Sequence, residues 1–388
     1  MNHKVCREYL TEIRERYQAA SRHEKGQILD EFCKVCGYSR KHAIFRLSLR
    51  SHLFRKRPGP RVTYGPDVHH WLSVLWKKMR MICSKKMKRA LPEWLKHFDQ
   101  PEVTDDIRHK LLKMSPATMD RILRPVRAHE MPHGLTLTKP GSFRKSKIPI
   151  RVHHWEVKKP GFMQADTVAH CGDTLGGAHG NTLTMTDIDS TWTENRAVWT
   201  RGSLPVFKQI KDIEENLPFK ILGYSSDNGG EVLNQRLYAY FYESRKDGDK
   251  IQMTRSRAYR KNDQAHVEQK NWTHVRELFG YERVDHPDLI PLMNEIYKDY
   301  WGPLMNFFIP SLKLIRKTRI GARIKKEYDL PKTPYQRLQE SADLNIEAKE
   351  KLRLRYESMD PFALSEGLDK RLESFHWQVK RKKQRWVA

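Results

Sequence analysis

The chain has 388 residues, 38% of them apolar and 31% charged, with a formal net charge of +26. That length leaves room for several cores, and no run reaches the roughly 18 apolar residues that a membrane span needs. The opening residues lack the apolar centre of a secretory signal, and five cysteines without regular spacing read as reduced thiols, so a cytoplasmic setting is expected.

Charge divides the chain. Residues 1–155 hold 34 basic and 14 acidic residues, a net +20; residues 156–305 hold 19 and 22, a net −3; residues 306–388 hold 20 and 11, a net +9. Clustered Lys and Arg suit a phosphate backbone, whereas a cation site needs local negative charge. A uniformly basic ribosomal-type protein would show no such contrast.

In chain order, residues 22–50 read as a helix-turn-helix. Ile28, Leu29, Phe32 and Val35 give an apolar face, Gly37-Tyr38 breaks the helix, and Ser39 caps a second helix over 40–47. Arg40, Lys41 and Arg46 on that helix, with Arg55, Lys56 and Arg57 after it, are candidates for DNA contact. A plain two-helix hairpin with a solvated face is the alternative. Cys33 and Cys36 have zinc-ligand spacing but fall inside the helical pattern without two nearby histidines, so buried thiols are expected.

Pro58-Gly59-Pro60 marks a linker closing a first module, 1–60. Residues 61–128 read as a second helical DNA-binding unit, with helices over 67–80, 92–98 and 105–114 and a last one capped by Ser115. Residues 129–154 read as a basic connector, where Lys145 and Lys147 would track a DNA backbone.

From residue 155 the pattern shifts to a period of two. Strands are expected over 162–169, 182–188, 192–199, 221–225 and 251–254, and helices over 204–217, 233–242 and 264–279. The order β-β-β-α-β-α-β-α places a mixed α/β sheet at 155–305. The remaining 306–388 is a basic region of strand-like and helical pieces, with a tail at 380–385 expected to be disordered.

Three acids stand out in this core. Asp166 interrupts an alternating strand, where a carboxylate is costly unless paired or ligating a cation. Asp227 follows an apolar strand and would lie beside Asp166 if the first and fourth strands are neighbours. Glu268 shares a helix face with Gln264 and Trp272, while Val267, Val275 and Leu278 point to the core. Taken singly, each has a bland reading: a turn residue, another turn residue, a solvated helical Glu. Together they can hold two divalent cations for phosphoryl transfer. Arg257, Arg260 and Lys261 just before Glu268, and Lys270 after it, suit a DNA strand lying across such a site.

In these settings and this order, residues 155–305 resemble the integrase catalytic core of DDE transposases of bacterial insertion sequences, in the retroviral-integrase superfamily. The resemblance implies an RNase H-like core within a multidomain chain. It also implies Asp166, Asp227 and Glu268 as catalytic metal ligands, with Asn262 matching the Asn of the strand-loop-helix motif. Its further implications are two Mg²⁺ or Mn²⁺ ions, element ends and target as double-stranded DNA substrates, and a dimer or larger assembly. No phosphate-cradling Gly-rich loop is present, so no nucleotide cofactor is expected.

One departure is the long interval between Asp227 and Glu268, which the polar stretch 243–250 could absorb as a surface loop. Glu231 is the rival third acid. Asp187 and Asp189 read as turn residues, and His170, Cys171 and His179 lack a fourth ligand. Two alternatives to a transposase stand: a nuclease of the same fold that does not join ends, and a non-enzymatic DNA-binding regulator.

Overall fold

The computed structural model describes residues 3–48, 63–130, 158–174, 176–226, 230–255, 265–321 and 323–387. The chain forms two compact units, Met1–Thr63 and Tyr64–Ala388.

The first unit packs α1 (His3–Ala19), α2 (Arg22–Cys36) and α3 (Arg40–Ser48) around Leu10, Ile13, Ile28, Leu29, Phe32 and Leu47. Ser21 and Glu24 form a reciprocal capping box at the start of α2, and Gly37 ends it at φ 70°. Val35, expected in the apolar face, is instead exposed, because the core stripe of α2 closes at Phe32. Cys33 and Cys36 are half-buried, and burial pushes the Cys36 thiol up to about 11.

The second unit begins with α4 (Pro66–Lys78), α5 (Ser84–Lys96), α6 (Asp105–Lys113) and α7 (Pro116–Glu130). One proline reading needs correction. Pro92 lies inside α5 rather than at a helix start, because Leu91, Trp94 and Leu95 around it are buried and hold that turn in place. Likewise α7 continues through Pro125 to Glu130, into the stretch read as connector. Residues 131–157 lie outside the described residues. The apolar faces of α4–α7 share one core with Trp301, Phe308, Leu368 and Phe375 from much later in the chain.

A five-stranded mixed sheet follows: β1 (Phe162–Ala169), β2 (Gly180–Asp187), β3 (Thr193–Trp199), β4 (Gly223–Ser226) and β5 (Gln252–Arg255), in the order β3-β2-β1-β4-β5. The first three are antiparallel neighbours, while β4 runs parallel to β1 and β5 parallel to β4. This topology is compatible with an RNase H-like core. Gly161, at φ 114° before β1, could not carry a side chain, since a Cβ there would lie 2.6 Å from the Lys220 carbonyl oxygen.

The two faces of the sheet differ in chemistry. Met163, Ala165, Leu183 and Met185 pack against Val206, Ile210 and Ile213 of α8 (Ser203–Asn216). On the other face the register brings Asp166, Thr184 and Asn195 into line across three strands. Buried hydroxyls and amides there are paired: Asn195 donates to Thr184 Oγ1 at 2.9 Å, and Thr186 and Thr193 hydroxyls lie 3.2 Å apart. The outer edge of β3 is covered by two side-chain amides. Asn294 exchanges hydrogen bonds with the Ala197 N–H (2.7 Å) and carbonyl (3.0 Å), and Asn306 does the same with Thr193 (3.0 Å each).

Between β4 and β5 lie α9 (Gln235–Tyr238) and a π-helical turn at Ala239–Glu243. The loop 243–250 is largely exposed. After β5 come α10 (Ala265–Lys270), a π turn at Asn271–Arg276, and α11 (Glu277–Phe279). Helix α12 (Leu289–Glu295) leads through two more π segments, Ile296–Trp301 and Leu304–Phe308, to a separate hairpin of β6 (Leu314–Ile320) and β7 (Arg323–Tyr328). The chain closes with α13 (Pro334–Glu340), α14 (Ile346–Glu357) and α15 (Pro361–Val387). The basic tail expected to be disordered is the last part of α15, a helix anchored earlier along its length by Leu368, Phe375 and Val379. No described helix is long and apolar enough to cross a membrane.

Candidate active site

Asp166 sits on the polar face of β1. Its Oδ1 accepts from the Thr167 N–H at 2.8 Å and its Oδ2 from the Asn271 side-chain amide at 2.7 Å. Asn271 follows the last residue of α10, so this bond ties the helix bearing Glu268 to the strand bearing Asp166. The start of that helix is held to β1 too, with the Val267 N–H donating to Gln164 Oε1 at 3.4 Å. Val267 is buried, whereas Glu268 is exposed in the first helical turn, where the helix dipole favours a carboxylate.

Asp227 lies outside the described residues, but residues on both sides of it are placed. Ser226, the last residue of β4, pairs with Ala165, the residue before Asp166. Tyr224 and Ser226 hydroxyls both donate to the Val232 carbonyl, at 3.0 and 3.3 Å, which ties β4 to that residue.

The rival acid Glu231 belongs to another cluster. It accepts from the Thr167 hydroxyl at 3.0 Å and pairs with Arg201 at 3.2 Å, and Arg201 also donates to Thr167 at 3.0 Å. Thr167 follows Asp166 along β1 and so points to the opposite face of the sheet. Nothing in the sequence flagged Arg201, which stands just past β3. Asp187 is a structural acid, accepting from Gly161 N–H (2.8 Å), Ser190 N–H (2.7 Å) and Ser190 hydroxyl (2.6 Å), and burial pushes it up to about 6. Asp189 pairs with Lys313 at 2.7 Å. His170 is buried against Thr182 and held well below its ordinary range, at about 3, chiefly by burial.

No family model matches the chain. A protein of Sinorhizobium fredii, described as uncharacterized protein y4rM, is 37% identical over 337 residues, covering 85% of this chain and 94% of that one. The chain belongs to the y4rM family. A solved structure, the catalytic core domain of BIV integrase, is similar to it over 50% of this chain and 98% of that chain, at 16% identity and a TM-score of 0.25. At that score the superposition carries no argument about the fold.

In this y4rM-family chain the basic candidates fall in different settings. Lys41 is exposed, Arg40 is ion-paired with Asp30 of α2, and Arg46 is half-buried. Lys270 is half-buried, and burial lowers its ammonium to about 7, helped by the positive charges of Lys86 and Arg337. The same enclosure, with Lys270 and Lys86 nearby, lowers the buried His274 imidazole well below its ordinary range. Arg55, Lys56, Arg57, Lys145, Lys147, Arg257, Arg260, Lys261 and Asn262 lie outside the described residues.

Among the described residues no three acidic, histidine or cysteine side chains gather into a metal-binding group. The donor set still fits a cation. Asp166 and Glu268 stand on elements bonded to each other, and the Asn271 Oδ1 is buried without a hydrogen-bond partner among the described residues. A buried acceptor left unpaired is costly, and a cation would satisfy it.

Proposed function

We propose that the protein is a DDE-type transposase that cuts and joins DNA at the ends of an insertion sequence. The observation that carries this reading is the bond from Asn271 to Asp166, which sets the Glu268 helix against β1, next to the parallel strand that ends one residue before Asp227. Two Mg²⁺ or Mn²⁺ ions held by Asp166, Asp227 and Glu268 would neutralise charge on the attacking and leaving oxygens of an in-line phosphodiester displacement. Asn271 would keep the Asp166 carboxylate turned toward that position. The N-terminal helices and the flanking basic segments would hold element ends and target as double-stranded DNA, with two copies or more of the chain bridging two ends.

The test uses purified protein, Mg²⁺ and a labelled duplex carrying the element ends. Cleaved and joined products are expected. Asp166→Asn, Asp227→Asn and Glu268→Gln should each lower both by on the order of a thousand-fold or more, while DNA binding is retained. Cleavage without joining would make the protein a nuclease. Activity surviving in Asp166→Asn would end the assignment.

A further inference from the structure

The β6–β7 hairpin carries charge that no described acid outside it answers. Every described side chain on it is exposed except Thr318, which is half-buried. Six residues are basic (Arg316, Lys317, Arg319, Arg323, Lys325, Lys326) against one acid, Glu327. Register sorts them by face. Lys317 stands directly opposite Lys326 and Arg319 opposite Ile324, so one face presents three cations and no acid. The described ion pair within the ribbon, Lys325 with Glu327 at 3.2 Å, involves the other face.

Physics disfavours this arrangement in isolation. A two-stranded hairpin without a packed face is marginal in water, and like charges directly opposite each other destabilise it further. Lysines on open edges also guard against stray strand pairing, but that purpose does not require six charges of one sign. Ile320 and Ile324, near the tip, are exposed as well, at 63% and 43%.

The base, by contrast, is fastened. Lys313 donates its N–H to Asp329 at 2.7 Å and pairs with Asp189 at 2.7 Å, and Arg337 holds Asp329 at 2.6 Å. The Ser311 hydroxyl meets that of Thr191 at 2.7 Å. A ribbon fixed at its root to the turn after β2, and bare along its length, is shaped to reach outward.

We propose that β6–β7 is a DNA-binding ribbon, lying in or along a groove of the duplex on which the enzyme acts. A two-stranded ribbon fits the major groove, about 12 Å wide, and its cations would neutralise phosphates at the rim. The proposal rests on the transposase reading for its substrate.

Its test needs no catalysis. Full-length protein in EDTA is titrated with a labelled duplex over a range of salt. The variant Lys317→Ala/Arg319→Ala/Lys326→Ala is compared with Lys96→Ala/Lys351→Ala/Lys370→Ala, which removes the same charge from scattered exposed positions. The ribbon variant should bind at least tenfold more weakly, and its log–log salt slope should shrink by about 2.7, at roughly 0.9 per lost phosphate contact. The scattered variant should stay near the parent. A photo-reactive benzoylphenylalanine replacing Ile320 in the otherwise native chain should cross-link to the duplex, a readout that stands even if the triple variant folds poorly. Unchanged binding in the ribbon variant, an equal loss in the scattered one, absence of the cross-link, or a loss confined to single-stranded RNA or anionic vesicles would overturn the ribbon's role. A parent protein that binds no duplex would sink the transposase reading as well.

Discussion

Two strand edges in this molecule are treated in opposite ways. At β3 the free edge is met by Asn294 and Asn306, whose amides supply both a donor and an acceptor to the backbone, as a neighbouring strand would. The β6–β7 ribbon has two edges and two faces, and none of these is covered by another described strand. The chain can finish an edge where stability requires it. The bare ribbon is therefore better understood as a surface kept ready than as a defect of packing.

If β3 depends on its substitute strand, Asn306→Ala should have the largest effect on stability. Asn306 is 2% exposed, and its loss strands the Thr193 N–H and carbonyl in the interior. A cost of about 2–4 kcal/mol is expected from two unsatisfied groups, read from urea denaturation. A loss below about 0.5 kcal/mol would mean water reaches that edge, and the contrast with the ribbon would weaken.

The next effect tests the polar face of the sheet. Asn271→Ala should leave folding nearly intact but lower cleavage by about 10–100-fold, the range seen when a group orienting a metal ligand is removed. Mn²⁺ in place of Mg²⁺ should restore part of the rate if the defect is in positioning Asp166. A stability loss with unchanged cleavage would make the Asn271–Asp166 bond merely structural.

The smallest change has the most telling sign. Lys317→Thr removes the like-charge pair with Lys326 and adds a residue suited to strands, so stability should rise by about 0.2–1 kcal/mol. Duplex binding should fall in the same protein. Stability and binding moving together would show that the ribbon is not held in reserve for a polyanion.

Much of this was readable from residues. Alternation located β1 and β2, short strand-like runs located β3, β4 and β5, and the positions of Val267, Val275 and Leu278 fixed the buried side of the Glu268 helix. What escaped depended on distant contacts. Pro92 is carried inside α5 by core residues from over 200 positions away, among them Phe308, whose carbonyl accepts from the Trp94 indole at 3.3 Å. The bonds of Glu231, the rival third acid, to Thr167 and Arg201 join residues 64 and about 30 positions apart, which no local pattern announces. The edge amides Asn294 and Asn306 lie about a hundred residues from the strand they complete, and Asn carries no pattern that announces such a task.

The π turn at Asn271–Arg276 has a consequence for bookkeeping along the chain. A π turn holds one residue more than an α turn, so the helix beyond it is rotated by about 100° relative to an unbroken one. Glu268 and Asn271, on the near side, can therefore be aimed by β1, while Leu278 and Phe279, on the far side, answer to the apolar core. The two halves are geared separately.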